Sequence, residues 1–420
     1  MDKYLYGIDF GTSNSAVSIL DIEKNEIITT ISLPSILYFS SEQSHSKPLK
    51  YYVGQEALDK YLAEGMTGRF MKSIKRILPR KNFTKTKVYS KDLSASDLIT
   101  LIIKELKERA DKYVGISCSR AIIGRPVVFD EESVNDELAQ KRLLTAAVAA
   151  GFTEIRFQHE PIAAAFAYER SLKTKERVLV ADLGGGTTDF TFIELNPSSK
   201  ENADRSKDII ASGGIYIGGD SFDSAFMMKR GVPYFGYGVK YQSMPGKFLD
   251  LPLSLFINIT SWEKLNFFNG FKIKNEIEGY YVFSDRNPFV KNLITLIENN
   301  LGYQLFQSVE KVKINLSDLD TTQFYFSQFE IDINEPVTIE EYNKIIKRDL
   351  QKISNYLDEF LLQNNITDDS IDTVFLTGGT SLVKSVIELF KNKFPNSKLN
   401  SGDNFTSVAK GLAYSGYLFN

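Results

Sequence analysis

Cysteine occurs once in these 420 residues, at Cys118, and histidine twice, at His45 and His159. A single thiol excludes an internal disulfide and suits a reducing compartment. Two histidines far apart in the chain, with no thiol cluster beside them, exclude a His/Cys metal centre. No run of about eighteen apolar residues is present, so no transmembrane helix is expected. The first strand signal starts almost at Met1, which leaves no room for a signal peptide. A dominant charge sign is missing too: 50 Lys and Arg against 53 Asp and Glu give a net charge of −3. That balance carries no nucleic-acid footprint. What remains is the expectation of a cytoplasmic monomer that touches neither membrane nor nucleic acid. Its 43% hydrophobic and 25% charged residues are ordinary for a globular protein, and its length suffices for about two to three domains.

Glycine, in contrast, is concentrated. From Val178 to Leu195 an apolar run ends at Asp182, breaks at Leu183-Gly184-Gly185-Gly186-Thr187, and resumes after Asp189 with alternating apolar residues. The pattern predicts a β-hairpin with its tip between Asp182 and Asp189. Consecutive glycines open backbone conformations barred to other residues and admit close neighbours, so such a tip can aim several N–H groups at one anion. Two carboxylates beside bound phosphates point to Mg²⁺ held largely through water. A lone Gly-Gly-Gly is more often a plain tight turn, but this one has a partner. From Tyr6 to Leu20 a strand again ends in Asp-x-Gly, at Asp9 and Gly11, and turns through Thr12, Ser13 and Asn14 before returning as a strand. Two related halves, each presenting one phosphate hairpin, are expected. Neither loop has the Gly-x-x-x-x-Gly-Lys-Ser/Thr spacing, which excludes a P-loop.

In chain order, strand signals run from Tyr4 to Leu37, and a helix is expected from Gly54 to Leu62. A basic cluster lies between Phe70 and Leu78, and an amphipathic helix capped by serine spans Ser94 to Lys112. A strand from Ser119 leads to a turn at Val127, and a helix follows from Asp136 to Ala150. Glu154 to Ile162 reads as a strand feeding a helix from Ala163 to Leu172. Pro197 to Lys207 is polar and expected to be disordered. Ile209 to Ile217 is a strand whose glycine turn, at Gly218, Gly219 and Asp220, opens a helix. From about 230 to 335 the pattern is irregular and rich in aromatics, ending in helical stretches from Asn292 to Phe306 and from Gln307 to Leu316. Thr338 to Leu362 is helical, and Thr373 to Thr377 is a strand entering a turn at Gly378, Gly379 and Thr380. Helices from Leu382 to Lys393 and from Ser407 to Leu418 close the chain.

These motifs, in this order, resemble the actin-like ATPase superfamily and, within it, the nucleotide-binding domain of DnaK-type heat-shock chaperones. Ile8 to Ser15 resembles the first phosphate loop, Glu160-Pro161-Ile162-Ala163 the connector, and Asp182 to Asp189 the second phosphate loop. Gly218 to Asp223 resembles the following turn, and Gly378 to Thr380 the adenosine loop. Phe157-Gln-His-Glu-Pro161 is similar to the short YegD-like branch. The resemblance implies an α/β fold of two lobes, each a ribonuclease-H-like core with a satellite. Lobe I would be 1–175, with core 1–37 and 118–175 and satellite 38–117. Lobe II would be 176–400, with core 176–229 and 336–400 and satellite 230–335, and 401–420 would return as a helix to lobe I.

It also implies ATP or ADP with Mg²⁺, and room for K⁺. Asp9, Asp182 and Asp189 would surround the metal. Gly11, Thr12, Ser13, Asn14, Gly184, Gly185, Gly186 and Thr187 would hold phosphates. Lys75 and Glu160, with Asp182 and Thr187, would serve cleavage by ordering water and neutralising charge. Gly218, Gly219, Asp220, Glu310, Lys313, Ser317, Gly378, Gly379 and Thr380 would contact the rest of the nucleotide. Two positions depart from the family pattern: Ile314 and Leu382 stand where the chaperones carry arginines beside adenine, which removes cation–π stacking. The chain ends at Asn420, where the chaperones continue into a peptide-binding domain. A weakly hydrolysing ATP switch read by a protein partner is therefore expected. A small-molecule kinase or phosphatase and a polymerising scaffold are the alternatives from the same superfamily.

Overall fold

The computed structural model describes residues 3–43, 48–129, 132–198, 206–260, 264, 268, 270–401 and 406–419. His45, most of the polar stretch from Pro197 to Lys207, and Asn420 lie outside the described residues. The chain forms two compact units, Met1–Tyr216 with Tyr356–Ser381 and Phe390–Asn420, and Ile217–Asn355 with Leu382–Leu389. Among the described residues no helix is long and apolar enough to cross a membrane.

The first unit contains two five-stranded sheets of identical topology. In the first, Tyr4–Phe10 is central, with Asn14–Asp21 and Glu26–Pro34 antiparallel on one side and Arg120–Arg125 and Glu154–His159 parallel on the other. In the second, Glu176–Leu183 is central, flanked by Thr188–Leu195 and Ile209–Ile215 antiparallel and by Thr373–Thr377 and Lys398–Ser401 parallel. Both central strands read as near-continuous apolar runs because both of their faces are covered. This duplication is the actin-like ATPase fold.

Helices explain the burial. Ala95–Val114 starts at a capping box, with Ser94 N donating to Asp97 at 2.8 Å and Asp97 N to Ser94 Oγ at 3.2 Å, and ends at left-handed Gly115. It packs with Ser133–Ala149 on the first sheet, where Leu98, Ile102, Leu106, Leu143 and Ala146 join Tyr6, Ile8 and Phe10. A second core gathers both sheets around the helices Glu160–Ser171 and Ser407–Tyr414, with Leu5, Ile122, Ala163, Val178, Val180 and Leu412 buried together. Close approach is what this core requires: a Cβ on Gly411 would overlap the Ala163 carbonyl.

Several boundaries differ from the sequence reading. The connector helix starts at Glu160, not Ala163, because Pro161 fits the first turn, where its missing N–H is not needed. The basic cluster splits into a short strand, Arg69–Met71, and a 3₁₀ turn, Ile74–Ile77. The last helix stops at Tyr414 and tightens into 3₁₀ over Ser415–Phe419. In the second unit the helices run Pro288–Glu298 and Gly302–Asp318, divided where Asn300 takes a left-handed φ of 51°. The supposedly irregular region also holds an eight-residue antiparallel ladder, Thr321–Gln328 with Ile331–Thr338, in which Phe324, Phe326, Ile331 and Ile333 are buried.

Alanine at Gly411 should gain about 1 kcal/mol of helix propensity yet lose more to the backbone overlap, for a net destabilisation of about 1–3 kcal/mol. Urea unfolding of Gly411→Ala measures the sign, and a neutral or stabilised variant would contradict the packing.

Candidate active site

Both central strands of the first unit carry an aspartate one residue before their end, Asp9 and Asp182. The first hairpin pairs Asp9 with Ala16 and Phe10 with Ser15, leaving Gly11, Thr12 and Ser13 at the tip. Ser35 fastens that tip: its hydroxyl donates to the Gly11 carbonyl at 2.8 Å and meets Ser15 Oγ at 2.7 Å, while its N–H donates to the Ser13 carbonyl at 2.8 Å. The second hairpin pairs Asp182 directly with Asp189 and Leu183 with Thr188. Its turn closes through Gly184 N to the Thr187 carbonyl at 2.9 Å, and Thr187 Oγ1 donates to Asp189 at 2.9 Å. Thr380 Oγ1 donates to the Gly184 carbonyl at 2.8 Å, so the Gly378–Thr380 turn is tied to the same tip.

Close approach, more than left-handed backbone, is what the glycines of this tip supply. None of Gly184, Gly185 and Gly186 has a positive φ; the left-handed residue is Gly378, at 83°. What Gly186 provides is room, since a Cβ there would collide with the Arg76 guanidinium. A Cβ on Gly378 would likewise meet Asp182 Oδ1, at 2.6 Å. Gly124, near the end of its strand, leaves space for the Glu160 side chain.

Charge is the defining property of this place. Lys75 Nζ lies 2.8 Å from Glu160 Oε1, with both side chains largely buried. Asp9, Asp182 and Asp189 interact electrostatically with this pair. Four carboxylates thus share one ammonium. Burial, then the charge of Glu160, pushes the Asp9 carboxyl up to about 7. Burial, then the neighbouring charges of Asp189, Glu160 and Asp9, pushes Asp182 up to about 8. Burial also raises Asp189, to about 6, against the hydrogen bond from Thr187. Burial works against the Lys75 ammonium, but Glu160, Asp9 and Asp182 outweigh it and hold its pKa above the usual lysine value. Among the described residues no three Asp, Glu, His or Cys side chains are close enough to chelate a metal ion directly. The place is thus short of positive charge, with Lys75, among the described residues, the one ammonium that these carboxylates are shown to feel.

A second polar cluster belongs to the second unit. The helix Gly219–Phe226 starts at Gly218 and carries Asp220 in its first turn. One turn on, Asp223 takes a 2.6 Å bond from Lys313 Nζ, with side chains only 9% and 12% exposed. Burial pushes the Asp223 carboxyl up to about 6, against the pull of Lys313. Its Oδ1 is buried without a hydrogen-bond partner. Glu310, Lys313 and Ser317 lie on successive turns of Gly302–Asp318, and Ser317 Oγ donates to the Lys313 carbonyl at 3.1 Å. Ile314 and Leu382 are both exposed. Sequence reasoning placed Asp223 in the Gly218–Asp223 turn without giving it a role, and gave none to Arg76 and Ser35. Asp223 had a signal, standing three residues after Asp220 on the helix the glycine turn opens. Arg76 and Ser35 had none, because what they meet, Gly186 for the one and Gly11, Ser13 and Ser15 for the other, lies elsewhere in the chain.

A family model described as "Hsp70 protein" matches residues 5–229 and 290–419. Over 432 residues the chain is 25% identical to the chaperone protein DnaK of Ureaplasma parvum serovar 3, covering 99% of this chain and 58% of that relative. Identity to the chaperone protein DnaK of Thermosipho melanesiensis is 34% over 228 residues, 53% of this chain and 34% of that relative. To the chaperone protein DnaK of Mycoplasmopsis pulmonis it is 25% over 429 residues, again 99% of this chain and 58% of the relative. The chain thus spans 58% of the length of the Ureaplasma and Mycoplasmopsis relatives.

A carboxyl that binds its proton more tightly in the folded state stabilises the fold most in acid, and that contribution is lost as pH rises through the folded pKa. For Asp182 the loss runs from its ordinary 3.8 to about 8. Ligand-free protein should therefore melt at a lower temperature near pH 8 than near pH 6, and Asp182→Asn should shrink that difference. Circular-dichroism melts of both proteins across the interval provide the test; an unaltered pH dependence in the variant would remove Asp182 as its source.

Proposed function

The chain belongs to the Hsp70 family, and from that membership we propose that it binds ATP and hydrolyses it slowly, as a conformational switch read by a protein partner. The observation that carries the reading is the surplus of buried carboxylates about the Lys75–Glu160 pair, beside the tips of two glycine hairpins. Backbone N–H groups of Gly11–Asn14 and Gly184–Thr187 would hold the phosphates. Asp9, Asp182 and Asp189 would hold Mg²⁺ through water, neutralising phosphate charge, with K⁺ as a further counter-ion. Glu160, fixed by its ion pair, would accept a hydrogen bond from the attacking water, and Lys75 would stabilise the charge spreading over the transferred group. Thr187, held by its bond to Asp189, would orient the terminal phosphate. Such a site does little covalent chemistry and works by positioning. It needs the ATP and Mg²⁺ that cytoplasm supplies.

Within the second unit, Gly218, Gly219, Asp220, Glu310, Lys313 and Ser317 would offer a polar contact of the kind a nucleoside takes; within the first, Gly378, Gly379 and Thr380, tied to the second hairpin tip, would serve the phosphate end. Asp223 would hold Lys313 in place for that contact. The two equivalent sheets would be the cores of lobes 1–175 and 176–400. Phe157-Gln-His-Glu-Pro161 supports a place near the YegD-like branch.

Lys75→Ala should lower single-turnover cleavage of ATP by on the order of 10²–10³-fold and leave ADP affinity, measured by calorimetry, nearly unchanged. No phosphate release from the unaltered protein, or equal losses of affinity and rate in the variant, would sink the reading. At the base end, exposed Ile314 offers only apolar contact. Ile314→Arg should strengthen ATP binding by about 0.5–2 kcal/mol through stacking on the base. An unchanged dissociation constant would mean that the base does not lie there.

A further inference from the structure

The turn that delivers Lys75 is short, closed by Arg76 N to the Ser73 carbonyl at 3.2 Å and Leu78 N to the Lys75 carbonyl at 3.1 Å. Ser73, just before it, sits in a left-handed conformation at a φ of 59°, which costs a residue other than glycine about 1–2 kcal/mol. Only a single 3₁₀ turn, Ile74–Ile77, follows, and it is succeeded by tight turns in which Arg80 N bonds the Ile77 carbonyl and Phe83 N the Arg80 carbonyl. Ile74 and Leu78 anchor the segment in the core, and the Ile77 and Arg80 carbonyls each accept one backbone N–H, but nothing in the segment ties these carbonyls and those of Leu78 and Phe83 to the rest of the fold. One side chain does so. Arg142, on the Ser133–Ala149 helix, donates from Nη1 to the carbonyls of Ile77 at 3.0 Å, Leu78 at 2.8 Å and Arg80 at 3.0 Å, and from Nη2 to that of Phe83 at 2.7 Å.

We propose that Arg142 is a positioning residue for Lys75: it clamps the four carbonyls that follow the Lys75 turn and so fixes where the ammonium meets Glu160. The inference rests on the hydrolytic reading of the site for its consequence, though not for its geometry. The guanidinium suits the task because its donors form a rigid planar fork, whereas a lysine ammonium is a single point on a flexible stem. A cation among carbonyls gathered at the end of a helical turn, each with a second lone pair to offer, is also favoured electrostatically. Arg142 is itself held, since its own carbonyl accepts from Ser96 Oγ at 3.1 Å and its helix packs through Leu143 and Ala146. The clamp thus runs from the core, through one side chain, to the turn that carries Lys75 and Arg76. Releasing it frees the turn to relax at Ser73, and a shift of about 1 Å at a catalytic group costs on the order of 10²-fold in rate. The glycine tips keep their own fastenings through Ser35 and Thr380, so phosphate binding should suffer less than cleavage, although Arg76 of the same turn lies against Gly186.

The test compares the unaltered protein with Arg142→Ala, Arg142→Lys, Lys75→Ala and the Arg142→Ala/Lys75→Ala double variant. Arg125→Ala serves as control, because Arg125 binds Asp136 of the same helix without touching the turn. Two quantities are read: single-turnover ATP cleavage beside ADP affinity, and the rate at which an amine-acetylating ester modifies Lys75 in nucleotide-free protein, followed by mass spectrometry. Arg142→Ala should lose cleavage by on the order of 10²-fold, keep most of its ADP affinity, and expose Lys75 to acetylation well beyond the Arg125→Ala level. In the Lys75→Ala background the loss of Arg142 should cost nothing further in cleavage, as expected of groups acting through one another. Arg142→Lys should recover only part of the rate. Cleavage and Lys75 reactivity at the Arg125→Ala level would overturn the proposal, as would full recovery by lysine. If the unaltered protein cleaves no ATP, the hydrolytic reading falls and the acetylation rates alone decide the clamp. Should Arg142→Ala fail to fold, Arg142→Lys and Arg142→Gln carry the same comparison.

Discussion

Four carboxylates sharing one buried ammonium is an arrangement that a fold has to be built to tolerate. Removing like charges from water is costly, and a buried pair with one partner missing costs still more. Here Glu160 has its cation in Lys75 at 2.8 Å, but Asp9, Asp182 and Asp189 are left with too little compensation. Protons or a cation can supply the difference, and they compete for the same oxygens. Around neutral pH the carboxyls raised to about 6, 7 and 8 are poised between the two. The free energy that ligand-free protein forgoes by holding these charges together is what a cation and its bound phosphates would recover. Instability and binding are thus two readings of one electrostatic arrangement.

Duplicated topology is what puts the charges in one place. Each sheet aims the end of its central strand, and with it one aspartate, toward a hairpin tip. The copies then diverge. Opposite Asp9 stands Ala16, whereas opposite Asp182 stands Asp189. Only the second hairpin doubles its carboxylate, and only the first recruits a distant serine, Ser35, to fasten its tip. Glu160 enters from the first turn of a helix rather than from a strand, and Lys75 from a 3₁₀ turn. Strands fix the carboxylates well; the ammonium depends on what holds its turn.

That difference also decides what could be read from the sequence. The hairpins were legible because apolar runs, an acidic break and clustered glycines are local signals, and the register of Asp182 against Asp189 follows from the turn length. The Ala95–Val114 helix was legible from its periodicity and its serine cap. The ladder from Thr321 to Thr338 was hidden because its alternation is short and its turn, at Phe329 and Glu330, has no glycine: Phe329 itself takes a φ of 53°. The close neighbour of Gly186 is the Arg76 guanidinium, and the bonds of Arg142 end on carbonyls some sixty residues earlier in the chain. No local pattern encodes a side chain whose partners are remote backbone groups.

The aromatic wealth of the second unit has a physical account of the same kind. Its small size gives it little interior relative to surface, and large rings bury the most area per residue ordered. The rings pair with one another: Tyr241 with Tyr280 at 4.7 Å, Tyr237 with Phe256 at 5.3 Å, Phe226 with Phe324 at 5.3 Å and Tyr234 with Phe289 at 6.1 Å. Tyr237, Tyr241, Phe256 and Tyr280 fall within residues 230–289, the part that the Hsp70 model leaves unmatched. The unmatched segment thus has aromatic contacts of its own, beside bonds such as that of the Tyr234 hydroxyl to Glu335, while Phe226, at the end of the helix that bears Asp223, meets Phe324 in matched sequence. Two of these rings also donate their hydroxyls to carboxylates, Tyr234 to Glu335 and Tyr280 to Glu276, so each tyrosine buries an apolar body while its polar tip stays paired.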